Sequence, residues 1–405
     1  MYTEDFKSMV ARYRNEMVRY ASTSAYQDSA SSKPPAVVPA VVPAMSAQRT
    51  VSNPGGKKMV GYYTGYSAYS GYGLDRIPAS KLTELNYAFA KIDDGLRVAM
   101  SDPNIDLKNF EKLREIKNKY PNFKTLISIG GWDYSKLFSD AALTAQNSEN
   151  FAQSALDFIL KHGFDGVDID WEYPVAGGVG GITQRPVDKQ NFTLLLKAIR
   201  DKLDAQTKKD SKKYYLSIAG APTLTYLNNI EPLKVAEIVD YIFIMAYDLH
   251  GPWDEYSDFN APLFNPEGRS PQYKASVNDG VMADLNKGIS PSKLVLGMPL
   301  YGYIYNVTSS ANNGLYSPFT SAKSISFDNV IIKHLGKPGY RDFFEVTAKV
   351  PYIYGNSQFI SYDDGVSIAE KAKYAVSKNL DGVGFWELSQ NRGGELVSAA
   401  YNELY

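Results

Sequence analysis

The chain has 405 residues, 44% of them hydrophobic, and a formal net charge of −1. That balance excludes a nucleic-acid binder driven by Lys and Arg on phosphates, and the hydrophobic share excludes a chain disordered throughout. The lack of cysteine excludes disulfides, thiol catalysis and thiolate metal sites.

In chain order, residues 3–21 come first. Phe6, Met9, Val10, Tyr13 and Met17 recur at helical spacing, which predicts an amphipathic helix. It is read as docking on its own domain, with contact to a protein partner as the alternative. No basic start precedes an apolar run, so no secretory signal is read, and no later stretch is apolar enough to span a bilayer. Residues 22–57 are rich in Ser, Ala and Pro, with PPAVVPAVVPA at 34–44. Repeated proline blocks helix and central strand, so this stretch reads as an extended linker.

A catalytic domain is read over 58–405. Apolar runs of strand length recur at 59–66, 82–90, 123–131, 164–172, 214–222, 239–247, 293–301 and 381–388. Helical patterns lie near 106–119, 147–162, 188–206, 274–288 and 366–378. Continuous apolar strands alternating with helices predict an α/β fold with a covered parallel sheet. Eight such strands predict a closed (β/α)8 TIM barrel. About 80 residues separate the last two strands, more than a crossover needs. Residues 304–358, rich in Tyr, Ser and Asn, read as a small α+β insertion between strands 7 and 8. Loops that follow strands open on the catalytic face, so this insertion is placed to wall a groove.

The fourth run ends Asp165-Gly166-Val167-Asp168-Ile169-Asp170-Trp171-Glu172. Strand parity puts Asp168, Asp170 and Glu172 on one face and Val167, Ile169 and Trp171 on the other. The acidic face points into the barrel, where like charges and burial raise at least one pKa and keep a proton donor near neutral pH. Glu172 is nearest the catalytic end. A Mg²⁺ or Ca²⁺ site is the competing use of such oxygens. None of His162, His250 and His334 has metal-ligand spacing, and no metal or cofactor is expected. GVGG at 178–181 lacks a following Lys-Ser/Thr and reads as a loop, not a phosphate cradle.

This run resembles the DxxDxDxE signature of the family 18 glycoside hydrolases, the chitinase family. The likeness extends over 58–405 through SIGGW at 128–132, MAYDLHGPWD at 245–254, GMPLYG at 297–302 and GFWEL at 384–388. It implies a chitinase that hydrolyses β-1,4-linked N-acetylglucosamine in chitin or chitooligosaccharides. It also implies roles. Glu172 is the acid, Asp170 orients the substrate's acetamido group, and Asp168 couples to Asp170. Tyr247 donates to the acetamido oxygen, with Met245 and Asp248 in the same pocket. Trp386 is the sugar floor. Tyr62 and Ser128 support the buried aspartate at the substrate site, and Phe89, Gly131, Trp132 and Tyr301 match substrate-pocket positions. Asp165, of opposite parity, is expected to be structural. Trp132 is expected to stack on sugar, Trp171 to be core, and Trp253 is open between the two. His250 is placed on an active-site loop. Tyr303 stands where the family often has Arg, which removes an expected polar contact.

The alternatives are an endo-β-N-acetylglucosaminidase acting on peptidoglycan or N-glycans and a catalytically dead chitin-binding lectin. The insertion favours a chitinase over the first, and Glu172 argues against the second. An insoluble extracellular polymer implies an exported enzyme; a cytoplasmic role or a released complex is the alternative.

Overall fold

The computed structural model describes residues 56–266 and 275–405. The expected N-terminal helix, and all but the last two residues of the expected linker, lie outside the described residues.

Eight parallel strands close a barrel: β1 (Lys58–Thr64), β2 (Glu84–Ile92), β4 (Lys124–Gly130), β5 (Gly166–Asp170), β6 (Tyr215–Gly220), β7 (Tyr241–Ile244), β8 (Leu294–Pro299) and β14 (Gly382–Trp386). Closure comes from β1, which pairs in parallel with both β14 and β2. A short β3 (Val98–Met100), which the sequence reading did not anticipate, adds antiparallel to the end of β2.

Helices form where capping and apolar spacing agree. In the helix Pro103–Lys119, Asp102 accepts the Asn104 N–H and proline occupies the first position. Thr144 caps the helix Ala145–His162, which stops at Gly163, where φ is +82° and a left-handed residue is needed. Asp364 and Ser367 form a reciprocal capping box on the helix Gly365–Ser377. After β6 the crossover is two short helices, Leu224–Asn228 and Pro232–Ile238.

The insertion is a second sheet of β9 (Tyr301–Val307), β10 (Phe319–Ser326), β11 (Tyr340–Glu345), β12 (Val350–Gly355) and β13 (Gln358–Ser361), in the order β10-β9-β13-β12-β11. Every pairing in it is antiparallel, and it carries the helix Phe327–Lys333. It starts at Tyr301, one residue after β8 ends, rather than at 304.

Parity on β5 sorts the side chains as alternation requires. Trp171 packs toward the helices, stacked on Phe138 at 5.3 Å and edge-on to Phe192 at 5.5 Å. Asp168 is directed into the barrel. Asp165, at the strand's start, is bound on the outside. Its Oδ2 accepts the Thr125 N–H at 2.9 Å and meets Lys117 Nζ at 2.7 Å, and its Oδ1 meets Lys212 Nζ at 3.0 Å. Those two cations and the backbone bond outweigh burial and hold its pKa below the usual carboxylate value.

Candidate active site

At the C-terminal ends of the barrel strands lies a cavity of about 1160 Å³. Its walls come from seven of the eight barrel strands or the loops that follow them, as expected for a barrel whose chemistry sits on that face.

The register places Asp168 level with Ser128 on β4 and Ser217 on β6. Its Oδ2 accepts from Ser128 Oγ and Tyr62 OH, each at 2.8 Å, and its Oδ1 from Ser217 Oγ at 2.6 Å. Burial nonetheless raises its pKa above the ordinary value, because three neutral donors only partly replace water. Asp168 therefore sits sealed beneath the cavity floor.

Asp170, two residues on, reaches the cavity wall. Burial, then the charges of Glu172 and Asp168, hold its carboxyl well above the usual range. Its Oδ1 has no hydrogen-bond partner among the described residues. Glu172 follows just past the end of β5, half-buried in the cavity wall, with its N–H donated to Ser135 Oγ at 2.9 Å. Burial pushes its pKa up to about 7. Asp248 and Asp133 add to the rise, and the Tyr173 hydroxyl opposes it. Two interacting carboxyls of this kind hold a proton near neutral pH as a pair.

Tyr247, buried beside them, keeps its proton at any ordinary pH, because burial and the Asp170 and Asp248 charges raise its pKa. It is thus a fixed neutral donor. Met245 and Asp248 line the same wall. This segment lies past β7, which ends at Ile244; the Tyr247 N–H turns back to the Met245 carbonyl at 2.8 Å. The sequence run at 239–247 thus holds strand only in its first part.

Trp386, the last residue of β14, forms the floor with aromatic support: Tyr62 edge-on at 5.6 Å and Phe89 tilted at 5.6 Å. Trp132 is 50% exposed at the rim and lines the cavity with Asp133 and Tyr134. Trp253 is exposed and sits edge-on to Tyr303 at 5.8 Å.

Ser128 is fully buried and donates to Asp168, off the cavity lining. Some residues anticipated in the pocket stand elsewhere. Gly131 is behind the wall: at φ +75°, an added Cβ would come within 2.6 Å of the Phe89 ring, so the glycine gives that ring its place. Tyr301 acts through Asp248, its hydroxyl 2.5 Å from Oδ1. His250 is buried and turned to Asp254 and Asp258, away from the cavity lining. The loss of a polar contact expected at Tyr303 is corrected: its hydroxyl donates to Asp248 Oδ1 at 2.7 Å.

Sequence reasoning missed Ser217, Ser135, Tyr173 and Asp133. Ser217 carried a signal, since SIAG at 217–220 repeats the SIGG of 128–131 in an adjacent-strand register about Asp168. The other three come from turns, where side-chain direction is not periodic.

The titratable groups of the lining are one-sided. Asp102, Asp106, Asp133, Asp170, Glu172, Asp248 and Asp279 face the cavity, and among the described residues that line it there is no Lys, Arg or His.

Comparisons with known proteins place this geometry. Residues 58–391 match the family model described as glycosyl hydrolases family 18. The chain is 39% identical to "Chitinase A1" of Niallia circulans over 90% of its own length and 61% of that protein's, so it spans about three-fifths of that relative. It is 34% identical to "Endochitinase 1" of Metarhizium robertsii, covering 89% of this chain and 88% of that one. Among solved structures, chitinase ChiA74 from Bacillus thuringiensis superposes with a TM-score of 0.81 at 32% identity, over 86% of this chain and 70% of that one. A family 18 N-acetylglucosaminidase from Paenibacillus barengoltzii gives 0.79 at 30% identity, over 86% of this chain and 100% of that one.

Proposed function

Because this chain belongs to family 18 of the glycosyl hydrolases, we propose that it is a chitinase, cutting β-1,4 bonds between N-acetylglucosamine units with net retention of configuration. The observation that carries this reading is one cluster: a Glu172 carboxyl with a pKa of about 7, beside the unpartnered Oδ1 of Asp170 and the Tyr247 hydroxyl, over the Trp386 floor. Family 18 is an exception to the two-carboxylate scheme of most glycosidases, in that the substrate supplies the nucleophile.

In the proposed sequence Glu172 gives its proton to the glycosidic oxygen as the bond to the anomeric carbon breaks. The sugar's own 2-acetamido oxygen attacks that carbon and forms an oxazolinium ring. Asp170 holds the acetamido N–H and offsets the positive charge, while Tyr247 donates to the acetamido oxygen. Water then opens the ring and gives its proton to Glu172. Two displacements at one carbon restore its configuration. Holding the nucleophile in place beforehand converts an encounter into an intramolecular step, which supplies much of the acceleration. Trp386 offers a flat apolar face to the sugar ring.

Among the described residues the cavity wall is one-sided in charge, which favours a neutral glycan. The lactyl and peptide carboxylates of peptidoglycan would meet like charge there, which counts against that alternative. The N-acetylglucosaminidase relative keeps release of single sugars as a second reading. The substrate implies action outside the cell; no described helix is long and apolar enough to cross a membrane.

Mass spectrometry of products from reduced chitin oligomers, with the fresh anomer read by NMR, tests this. The β-anomer and multi-sugar products are expected. Initial α-anomer would rule out the substrate-assisted route, and exclusive monosaccharide release would select the second reading.

A further inference from the structure

Tyr303 is the third residue of β9, the first strand of the insertion, and it pairs with Ser324 and Ser361 in that sheet. Its hydroxyl nevertheless reaches out of the sheet to Asp248 Oδ1, 2.7 Å away, the same oxygen that Tyr301 binds at 2.5 Å. The ring is gripped edge-on by Tyr301 at 5.9 Å and Trp253 at 5.8 Å. Asp248 is also held by its backbone. Its N–H donates to Asn260 Oδ1 at 2.9 Å, and Asn260 Nδ2 donates to the Tyr301 carbonyl at 3.1 Å. The residue has φ +54°, so its carboxyl is presented from a left-handed turn.

Resting on the chitinase reading above, we propose that Tyr303 is a positioning residue for Asp248, and that through this contact the insertion sets the pH range in which Glu172 is a proton donor. The titratable groups facing Asp248 are Glu172 and Tyr247 from the barrel and Tyr301, Tyr303 and Tyr305 from the insertion. His250, two residues on, is turned to Asp254 and Asp258. No cation lines the cavity among the described residues. A carboxylate paired with a guanidinium would project little field at its neighbour. Burial raises the Asp248 pKa and the two phenols oppose that rise, so they favour its charged form, and a like charge nearby keeps the proton on Glu172 to higher pH. The Asp248 charge indeed acts to raise the Glu172 pKa. Both phenols bind Oδ1, and Oδ2 has no protein donor among the described residues.

The test is the pH profile of kcat/KM on a chromogenic chitobioside for the full chain and for Tyr303→Arg and Tyr303→Phe, each also combined with Asp248→Asn. Tyr303→Arg should lower the alkaline apparent pKa by at least about half a unit, because it neutralises the field of Asp248. Tyr303→Phe keeps the ring packing and removes one donor from the anion. It should therefore also lower the alkaline apparent pKa, by less than Tyr303→Arg does, since Asp248 ionises less readily and adds less charge beside Glu172. In the Asp248→Asn background Tyr303→Phe should move neither limb. Folded variants with unmoved limbs, or a Tyr303→Phe shift that persists without the Asp248 charge, would overturn the proposal. Should Tyr303→Arg fail to fold, an unshifted Tyr303→Phe profile overturns it alone. The same assay on wild type and Glu172→Gln separates the two readings: no Glu172-dependent turnover removes the chitinase assignment and this inference with it.

Discussion

Two glutamates in this barrel have the same pKa of about 7 and entirely different settings. Glu84, at the start of β2, is buried at the closed end, bound by the Tyr241 hydroxyl, with the Lys58 charge working against the rise that burial causes. Glu172, at the open end, is raised by burial with only carboxylates adding to it. An elevated carboxyl is therefore not by itself a mark of chemistry. Access decides: Glu172 lines an open cavity, and Glu84 is bound by the Tyr241 hydroxyl among buried side chains. Cation placement separates the ends too. Lysines 58, 117 and 212 sit against carboxylates at the strand starts, and none lines the mouth.

The sharpest way to break this contrast is to neutralise both glutamates. Glu172→Gln should lose ~10²–10⁴-fold in turnover of a chromogenic chitobioside, the usual worth of a general acid. Glu84→Gln should keep turnover within a few-fold, and a comparable loss there would mean that the closed end takes part in catalysis. The next effect is on stability. Asp165→Asn removes an acceptor that serves a backbone N–H and two lysines, and should cost about 1–3 kcal/mol in chemical denaturation at pH 7. Asp165 has a depressed pKa in the fold. Its contribution is thus present above the unfolded value near ~4 and lost as the pH falls below it, so the variant and wild type should converge in acid. The smallest effect belongs to Glu84. Its carboxyl goes from the ordinary 4.5 to about 7 in the fold, so the folded state binds the proton more tightly. Its share of stability falls as the pH rises through that window. A melting temperature that declines less steeply over this range in Glu84→Gln would agree; parallel curves would count against it.

The barrel was legible because each strand is a short apolar run and five of the connections carry a helical period, those after β1 and β6 being the exceptions. The acidic line on β5 was legible because alternation fixes side-chain direction within a strand. Legibility ends where the ladder does. Met245, Tyr247 and Asp248 lie beyond β7, and their directions come from turns tied to Asn260 and Tyr301. Ser217 and Tyr303 reach their carboxylates from elements distant in sequence, so only the folded register brings them there. Ser128 and Gly131 lie next to the site in the chain but behind its wall in space.

A single residue, Leu300, joins the barrel to the small sheet. Its N–H binds the carbonyl of Trp386 at 2.8 Å, and its own carbonyl receives the Phe327 N–H at 3.0 Å. Such a junction has no slack about which the sheet could swing. The small sheet is therefore a buttress and not a wall: none of its residues lines the cavity, against the sequence expectation, and it meets the lining through the Tyr301 and Tyr303 hydroxyls on Asp248.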